Sequence, residues 1–478
     1  MKKLLAILVL SLLFFSNANA MPKWIGKAIK VCRANQDIDL SMVWFYDNGS
    51  VEEKIDFSLK KGDYVTLNRR TNKDQKWYVA SNNYFPAKNS SWAKLEVRGR
   101  YEKVRIKDFL IDCKKIKYLK VKYKSYTANS FNEIFNNKYS SKPVKLSGQL
   151  YLPKKKGKFP VVYLQHGTAN PKSLINFFQK VIDEMHKENI AVFVGDSYTN
   201  REKKLQGWRL GLASRTLDGL NVLNALSKHK NIDPNKIGIT GYSYGGMVAF
   251  FTAYPKLLDL VTDGKQFAAY MPVYPGCDVI FKDMKLVNKP MLMLHAELDN
   301  YAPTIDCINY VKQLKENGNP VELKIYKGAH HGFITVKETK VLSDIGSFRY
   351  CKPGYVDDEG YWVYNDKEWK NMSELETVNA VYKECGRAGV RVGGTVEQQQ
   401  QAVEDTVNFF KKLSMRKAIE NLYILVEPAI VSLGLKKYSN ILEEILNTGT
   451  GSDKQRKLYA NSNSFEHMLK TLKEQFYQ

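Results

Sequence analysis

After residue 15 the sequence contains no long apolar run, and none of its cysteines forms a Cys-x-x-Cys pair. A membrane-spanning helix needs about 20 consecutive apolar residues, so we expect no membrane span once a leader at the start is removed. The missing cysteine spacing argues against a zinc centre, and no metal site is predicted. No segment is typical of a module that reads nucleic-acid bases, so we expect no nucleic-acid partner. The chain does contain 44% hydrophobic residues among 478, enough for sizeable cores in two or three domains.

Basic residues outnumber acidic ones, with 73 Lys and Arg against 49 Asp and Glu, for a formal net charge of +24. An anionic cell-envelope polymer is a partner that such a charge favours. A solvated lysine-rich surface without a partner is the alternative, and the sequence leaves both open.

Residues 1–20 have the organisation of a secretory signal peptide. Lys2-Lys3 gives a charged start, Leu4 to Phe15 form an apolar stretch, and residues 18–20 (Ala-Asn-Ala) make a small-residue cleavage site. The stretch is short for the alternative, an uncleaved anchor, and no cysteine stands at the cleavage site to suggest a lipoprotein. We therefore expect an exported protein, periplasmic or secreted.

Six cysteines in an exported chain indicate disulfides. Sequence alone permits about 15 full pairings, but the cysteines cluster in three regions. Pairing within each region predicts Cys32–Cys113, Cys277–Cys307 and Cys351–Cys385.

Residues 21–115 contain short aromatic strands separated by polar turns, which predicts a small β-barrel-like domain. Leu59 to Val65, followed by Trp77 and Trp92, resembles a bacterial SH3-like domain, which implies binding of cell-wall peptides. A structural cap on the next domain is the alternative. Residues 116–142 are predicted to be a linker with an exposed edge strand.

Residues 143–415 alternate between apolar strands and helical stretches, the pattern of a mostly parallel central sheet with helices on both faces. The predicted strands and helices are Phe159–Gln165, Leu174–Lys187, Ile190–Val194, Arg215–Lys228, Lys236–Gly241, Pro290–His295, Ile305–Asn317, Pro320–Tyr326 and a last helix, Val396–Leu413.

Gly241 to Gly246 read Gly-Tyr-Ser-Tyr-Gly-Gly, between an apolar strand and an apolar helix. Strand, Gly-x-Ser-x-Gly and helix together are the context of a nucleophile elbow, where side chains at Gly241 and Gly245 would collide with neighbouring backbone. The elbow predicts Ser243 as an exposed nucleophile at a helix N-terminus.

A serine hydroxyl needs a base, and the base needs an acid that fixes its tautomer. In an α/β-hydrolase these follow the serine in the order acid, then histidine, each just after a strand. Asp299 and His331 satisfy order and placement. The competitors for the acid and base roles are Glu297, Asp306 and His330, and the remaining histidines outside the motifs are interpreted as structural: His186, His229, His295 and His467.

An oxyanion hole requires two backbone N–H groups. The residue after the nucleophile, Tyr244, supplies one. The loop His166-Gly167-Thr168 after the first central strand supplies the other, with Thr168 favoured over Gly167, and the side chain of His166 closes the turn.

Residues 143–413 resemble the dienelactone-hydrolase-like branch of the α/β-hydrolases. That resemblance implies hydrolysis of a small ester or lactone without a cofactor, and it supports the Cys277–Cys307 pairing. Dienelactone hydrolases themselves use a cysteine nucleophile where this chain has Ser243, which puts the dienelactone substrate in question. The segments that carry the resemblance are Gln165–Gly167, Asp196–Arg201, Gly241–Gly246, Tyr274–Cys277, Glu297–Pro303 and Gly328–Phe333.

Two further regions have open roles. Asp196 and Arg201 follow a strand and either position substrate or lock a loop. The aromatic insertion at residues 350–394 forms either a lid or substrate wall, or a surface flap.

Residues 416–478 are predicted to be a helical extension for packing or interaction. Residues 446–456 within it resemble the tail of carboxylate-amine ligases, although the nucleotide-binding body of that family is absent. Two functions therefore stand at this point, an exported serine hydrolase and a non-enzymatic envelope- or peptidoglycan-binding protein that uses residues 21–115.

Overall fold

The N-terminal region is built from β-strands. The computed structural model describes residues 25–35, 37–45, 51–59, 61–70, 78–80, 92–96, 110–115, 117–169, 171–335, 339–364, 367–370 and 372–432. The described strands before residue 116 are β1 (Ile25–Ala34), β2 (Ile38–Phe45), β3 (Val51–Leu59), β4 (Tyr64–Arg70), β5 (Tyr78–Ala80), β6 (Trp92–Glu96) and β7 (Leu110–Lys115).

These strands make two open sheets, one in the order β5-β4-β1-β7 and one in the order β3-β2-β6. The expected barrel-like closure is wrong for the described residues, because no hydrogen-bonded ladder there joins the edge strands. The SH3-like resemblance stays a prediction. The strands that carry Cys32 and Cys113, β1 and β7, are antiparallel neighbours with Val31 opposite Lys114, but both side chains lie outside the described residues and their pairing stays a prediction.

The second region alternates strands and helices from residue 119 onward. Its elements up to the last central strand are β8 (Leu119–Ser125), α1 (Phe131–Phe135), β9 (Val144–Tyr151), β10 (Phe159–Gln165), α2 (Ile175–Lys187), β11 (Ala191–Asp196), α3 (Leu212–Ser227), β12 (Ile232–Tyr242), α4 (Tyr244–Phe251), α5 (Pro255–Thr262), β13 (Ala269–Val273), β14 (Val279–Phe281), β15 (Met291–Ala296), α6 (Thr304–Glu316) and β16 (Val321–Tyr326).

Eight of these strands form the central sheet, in the order β16-β15-β13-β12-β10-β11-β9-β8. The pairs from β11 through β10, β12, β13 and β15 to β16 are parallel, and β9 and β8 join antiparallel at one edge. The fold is therefore that of an α/β-hydrolase, with a mostly parallel sheet and helices. Because parallel strands point the same way, the loops after β10, β12, β15 and β16 meet at one edge of the sheet.

Burial explains the central strands. Val161, Val162, Tyr163 and Leu164 in β10 are all inaccessible to solvent, which is the continuous apolar pattern of a strand covered on both faces. Most predicted elements of this region lie within a few residues of the observed ones.

The N-terminal strands contact the α/β region through β4 and α2. The hydroxyl of Tyr64 donates to the Asp183 carboxylate at 2.5 Å, and the ammonium of Lys180 lies 3.3 Å from buried Asp63. These contacts are of the kind expected from a structural cap.

The insertion and the C-terminal helix complete the described residues. A small sheet in the order β14-β18-β19-β20 joins the insertion to the main domain, and β17 pairs with β21. The remaining elements are β17 (Lys340–Ser347), β18 (Gly354–Val356), β19 (Trp362–Tyr364), β20 (Lys367–Trp369), α7 (Glu374–Cys385), β21 (Arg387–Val392) and α8 (Val396–Ser432).

Helix α8 is longer than the sequence predicts. It does not end at Leu413 but continues to Ser432, because residues 414–427 contain neither glycine nor proline to stop it. The chain divides into two compact units, residues 1–409 and 410–478, and α8 spans the point of division. Among the described helices, none has both the length and the apolar character that a membrane crossing requires.

Candidate active site

Ser243 lies in the tight turn between β12 and α4. Its backbone has φ 56° and ψ −122°, a strained conformation that a non-glycine residue adopts only when its surroundings force it. The surroundings here are backbone atoms, since a Cβ at Gly241 would overlap the Gly245 carbonyl and a Cβ at Gly245 would overlap the carbonyls of Gln165 and His166. The two glycines are thus the residues that let the turn present Ser243, as a nucleophile elbow requires.

A chain of hydrogen bonds connects Ser243, His331 and Asp299. The Oγ of Ser243 lies 2.8 Å from Nε2 of His331, and Nδ1 of His331 lies 2.7 Å from Oδ2 of Asp299. Asp299 follows β15 and His331 follows β16, so each lies just after a strand of the central sheet, as expected from the sequence. The second carboxylate oxygen of Asp299 accepts the backbone N–H groups of Tyr301 and Ala302, each at 2.9 Å.

The electrostatics of the buried acid favour its ionised form. Burial alone would raise the pKa of Asp299, but the charge and hydrogen bond of His331, with the backbone N–H of Ala302, hold that pKa below its ordinary value. An ionised Asp299 accepts the Nδ1–H of His331, which leaves Nε2 free to accept a proton from Ser243. The rings of Tyr274 and Tyr301 pack edge-on against the imidazole at 4.9 and 4.7 Å and restrict its rotation.

The competing side chains have other partners. His330 contacts the carbonyl of Leu298 through Nδ1 at 2.9 Å. Glu297 accepts the N–H of Gly328 at 2.7 Å, and Asp306 lies in the first turn of α6. Geometry therefore brings Asp299 and His331, rather than these residues, to Ser243.

Two of the predicted oxyanion donors line the same cavity as Ser243, namely Thr168 and Tyr244. The N–H of Tyr244 begins α4 and has no acceptor within the helix, so it is available to a ligand. At Gly167 a Cβ would lie 2.9 Å from the Tyr242 carbonyl. Glycine at this position therefore permits the close approach of the loop to the elbow.

Arg215, in α3, supports this loop from behind and was not predicted as a site residue. Its fully buried guanidinium donates to the carbonyls of Gly167, at 3.0 Å, and of His166. Its Cζ lies 5.0 Å from the centre of the Tyr244 ring and 5.7 Å from that of Tyr198. The only signal in the sequence is an arginine at the start of a predicted apolar helix.

His166 closes the turn, as expected. Its Nε2 accepts the N–H of Ser197 at 3.1 Å, while Nδ1 faces the carbonyls of Gly167 and Ala169 at 2.8 Å. Burial first, and then the positive charge of Arg215, lower the pKa of His166 to about 4, so the ring is neutral.

Asp196 and Arg201 lie outside the set of residues that line the cavity. Asp196 accepts the N–H of Tyr198 at 2.8 Å. Arg201 forms a buried ion pair with Asp218 at 2.6 Å and donates to the Ser197 carbonyl at 2.9 Å. Of the two roles left open, these contacts match locking of the loop rather than positioning of substrate.

The cavity beside Ser243 has a volume of about 160 Å³. One part of its lining comes from loops of the central domain, which we call the sheet wall. The other part comes from the insertion and from Phe348, two residues before it. We call this part the insertion wall. The sheet wall consists of Thr168, Trp208, Gly211, Ser243, Tyr244, Met247, Gly276, Asp278, Val279, Tyr301, Ala302 and His331, and the insertion wall of Phe348, Trp362, Tyr364, Glu374, Leu375, Val378 and Val381.

The insertion therefore lines the site rather than lying on the surface as a flap. Two disulfides brace this side of the cavity. Cys277–Cys307 ties the loop beside Gly276 to α6, with Cα atoms 5.0 Å apart. Cys351–Cys385 closes the insertion, with Cα atoms 5.1 Å apart.

Within the described residues, no three His, Cys, Asp or Glu side chains are grouped as a metal site would require.

Comparison with known proteins agrees with this architecture. Residues 146–356 match the dienelactone hydrolase family. Protein usf of Aquifex pyrophilus is 23% identical over 209 residues, which cover 41% of this chain and 86% of that protein. A candidate carboxymethylenebutenolidase of Aquifex aeolicus is 22% identical over the same shares of both chains.

A solved thermophilic esterase of Thermogutta terrifontis, with propionate bound, is 19% identical over 40% of this chain and 81% of its own, with a TM-score of 0.33. The family match supports a hydrolase that acts on carboxylic esters. Residues 146–356 of this chain thus match the dienelactone hydrolase family, and they lie within an α/β-hydrolase fold.

Proposed function

We propose that this protein is an exported serine hydrolase that cleaves a small carboxylic ester or lactone through an acyl-enzyme. The observation that carries the proposal is the 2.8 Å contact between the Ser243 hydroxyl at the elbow and Nε2 of His331. The predicted leader at residues 1–20 and the two disulfides support export.

The first half of the reaction forms the acyl-enzyme. Ser243 Oγ attacks the carbonyl carbon of the ester as its proton moves to Nε2 of His331. Asp299 stabilises the imidazolium that results. The backbone N–H groups of Tyr244 and Thr168 receive the oxyanion, and each such donor lowers the barrier by about 3–4 kcal/mol.

The second half releases the acid. His331 gives its proton to the departing alcohol oxygen as the ester C–O bond breaks. The same Nε2 then takes a proton from water, which attacks the acyl carbon, and the proton returns to Ser243 as the carboxylic acid leaves. A lactone follows the same steps, except that its alcohol remains covalently part of the acyl group, so hydrolysis of the acyl-enzyme releases a single hydroxy acid.

A fluorophosphonate probe tests the proposal, because it reacts only with an activated serine. The purified protein should be labelled, and Ser243→Ala should lose the label together with at least about 10⁴-fold in kcat on a short-chain aryl ester. The neighbouring histidines provide a matched pair. His331→Asn should react far more slowly, whereas His330→Gln should keep most of the activity because its ring faces Leu298. A wild-type protein that neither reacts with the probe nor hydrolyses the ester would overturn the proposal.

A further inference from the structure

The cavity next to Ser243 contains carboxyl groups and, apart from the imidazole of His331, no basic side chain among the described residues. Asp278 on the sheet wall and Glu374 on the insertion wall both line it, and neither lysine nor arginine does among the described residues. Aromatic rings supply much of the remaining surface, including Trp208, Tyr301 and Trp362. A group that enters this cavity therefore meets apolar faces and acidic oxygens.

The carboxyl group of Glu374 is held by hydrogen bonds within the protein. Glu374 is only 3% exposed, and its two oxygens accept the N–H of Ala213 at the start of α3, at 3.1 and 3.2 Å. Burial raises the pKa of Glu374 to about 8, although the Ala213 N–H opposes the rise. The group is thus mostly uncharged at neutral pH, and it offers a ligand no positive charge in either protonation state.

Asp278 is the carboxyl that a ligand can reach. Its side chain is half-buried and accepts the hydroxyl of Tyr364 at 3.1 Å. Burial raises the pKa of Asp278, while hydrogen bonds from its own backbone N–H and from Tyr364 oppose the rise and favour the ionised carboxylate. It also lies close to α4, the helix that follows Ser243. A Cβ added at Gly276 would lie next to both Asp278 Oδ1 and the thioether of Met247 in α4. Tyr301 and Tyr364 line the same space, so the carboxyl is set among aromatic rings.

We propose that this cavity selects esters whose acyl group ends in a bulky alkyl group, either uncharged or cationic, and rejects esters that carry a carboxylate. Asp278 is the residue that determines this specificity. The proposal rests on the serine hydrolase function proposed above. A substrate carboxylate would leave water for a site without a counter-ion and face the acidic side chain of Asp278, which is unfavourable. A trimethylammonium group would instead pack on aromatic faces beside an acidic oxygen, which is a favourable arrangement.

The test compares three p-nitrophenyl esters that share a three-methylene acyl chain. They end in a tert-butyl group, in its cationic isostere trimethylammonium, or in a carboxylate. The enzyme-free rate of each ester is subtracted, because the carboxylate ester also reacts by attack of its own carboxylate on the ester carbonyl. After correction for the reactivity of each ester with hydroxide, kcat/KM for the carboxylate ester should be about 100-fold below that for the tert-butyl ester. The trimethylammonium ester should react at least as well as the tert-butyl ester.

Asp278→Asn should reduce the ratio of cationic to anionic turnover by about tenfold or more, whatever its effect on the tert-butyl ester. The amide oxygen still accepts from Tyr364, so the shape of the wall is kept. Asp283→Asn is the matched control, since this exposed carboxyl lies outside the cavity lining and its removal should not alter the ratio.

Several outcomes overturn the proposal. Equal turnover of the carboxylate and tert-butyl esters by the wild-type protein would do so without any variant. The melting curve and the fluorophosphonate labelling of Asp278→Asn show whether the variant is folded. If it is folded and its ratio of cationic to anionic ester turnover is unchanged, Asp278 does not determine the specificity. A wild-type protein that hydrolyses none of the three esters and does not react with the fluorophosphonate would remove the hydrolase function itself. A protein that reacts with the probe but hydrolyses none of the esters would overturn the selectivity proposal alone.

Discussion

The two walls of the cavity are built in different ways. The sheet wall takes its reactive residues from loops after β10, β12, β15 and β16, where the parallel sheet brings distant residues to one edge. The insertion wall takes most of its residues from β19 and α7. A small sheet attaches this insertion to the main domain, and a disulfide closes it. The chemistry we propose requires only the first wall, whereas the shape and apolar character of the cavity depend on both.

This contrast gives a way to separate rate from selectivity. Substitutions of residues that orient or support the reactive groups of the sheet wall should act mainly on kcat, and with every substrate. Changes on the insertion wall should act on stability and on the choice of substrate, because its side chains make no hydrogen bond to Ser243, Asp299 or His331 in the described residues.

Asp299→Asn should cause the largest loss on the sheet wall. An amide that donates to Nδ1 stabilises the wrong tautomer of His331, so kcat should fall by about 10³- to 10⁴-fold with little change in KM. Glu297→Gln is the control, because this exposed neighbour contacts Gly328 rather than His331 and should keep activity within about threefold. The measurement is steady-state hydrolysis of the tert-butyl ester, and similar losses in the two variants would argue against Asp299 as the acid.

Arg215→Lys should have an intermediate effect. Lysine keeps the charge but cannot donate to the carbonyls of His166 and Gly167 as a rigid fork. The loop that carries Thr168 should therefore shift, and a shift of about 1 Å in a positioned group can cost up to about 100-fold in rate. We expect kcat to fall by about 10- to 100-fold while KM changes little.

Arg201→Lys is the matched control for this buried arginine. Arg201 pairs with Asp218 away from the cavity, so the control should lower the melting temperature without the same loss of kcat. A variant of Arg215 that melts earlier but keeps full kcat would show that the residue is structural only.

The sequence predicts the sheet wall well and the insertion wall poorly, for a physical reason. Ser243 is fixed by backbone sterics that two glycines relieve, and Asp299 and His331 follow strands whose apolar runs are visible in the sequence. Arg215 and Glu374 act through contacts with residues about 50 and 160 positions away, which no local pattern encodes. The insertion was recognised by its cysteines and aromatic residues, but its place beside the site depends on the pairing of β14 with β18.

The same limit applies to the N-terminal strands. Short aromatic runs and polar turns predict strands within residues 21–115, because those signals are local. Whether strands close into a barrel depends on which edges meet, and the expected closure did not appear in the described residues.

Glu374→Gln should have the smallest effect, on stability rather than on rate. In the folded protein, burial raises the pKa of Glu374 to about 8, whereas an exposed glutamate in the unfolded chain titrates near its model value of 4.5. Between these two values the folded state holds a proton that the unfolded state has lost, so the free energy of unfolding falls as pH rises through this window. Glutamine keeps an acceptor for the Ala213 N–H and does not titrate.

The variant should therefore gain stability relative to the wild type as pH increases from about 5 to about 8.5, by at least about 1 kcal/mol, since one pKa unit corresponds to about 1.4 kcal/mol. Melting curves of both proteins across this range measure the difference. Glu322→Gln, at an exposed position on β16, should follow the wild type at every pH. A difference between Glu374→Gln and the wild type that stays constant with pH would mean that Glu374 is already ionised in the folded protein, and the insertion wall would then bring a second full negative charge to the cavity.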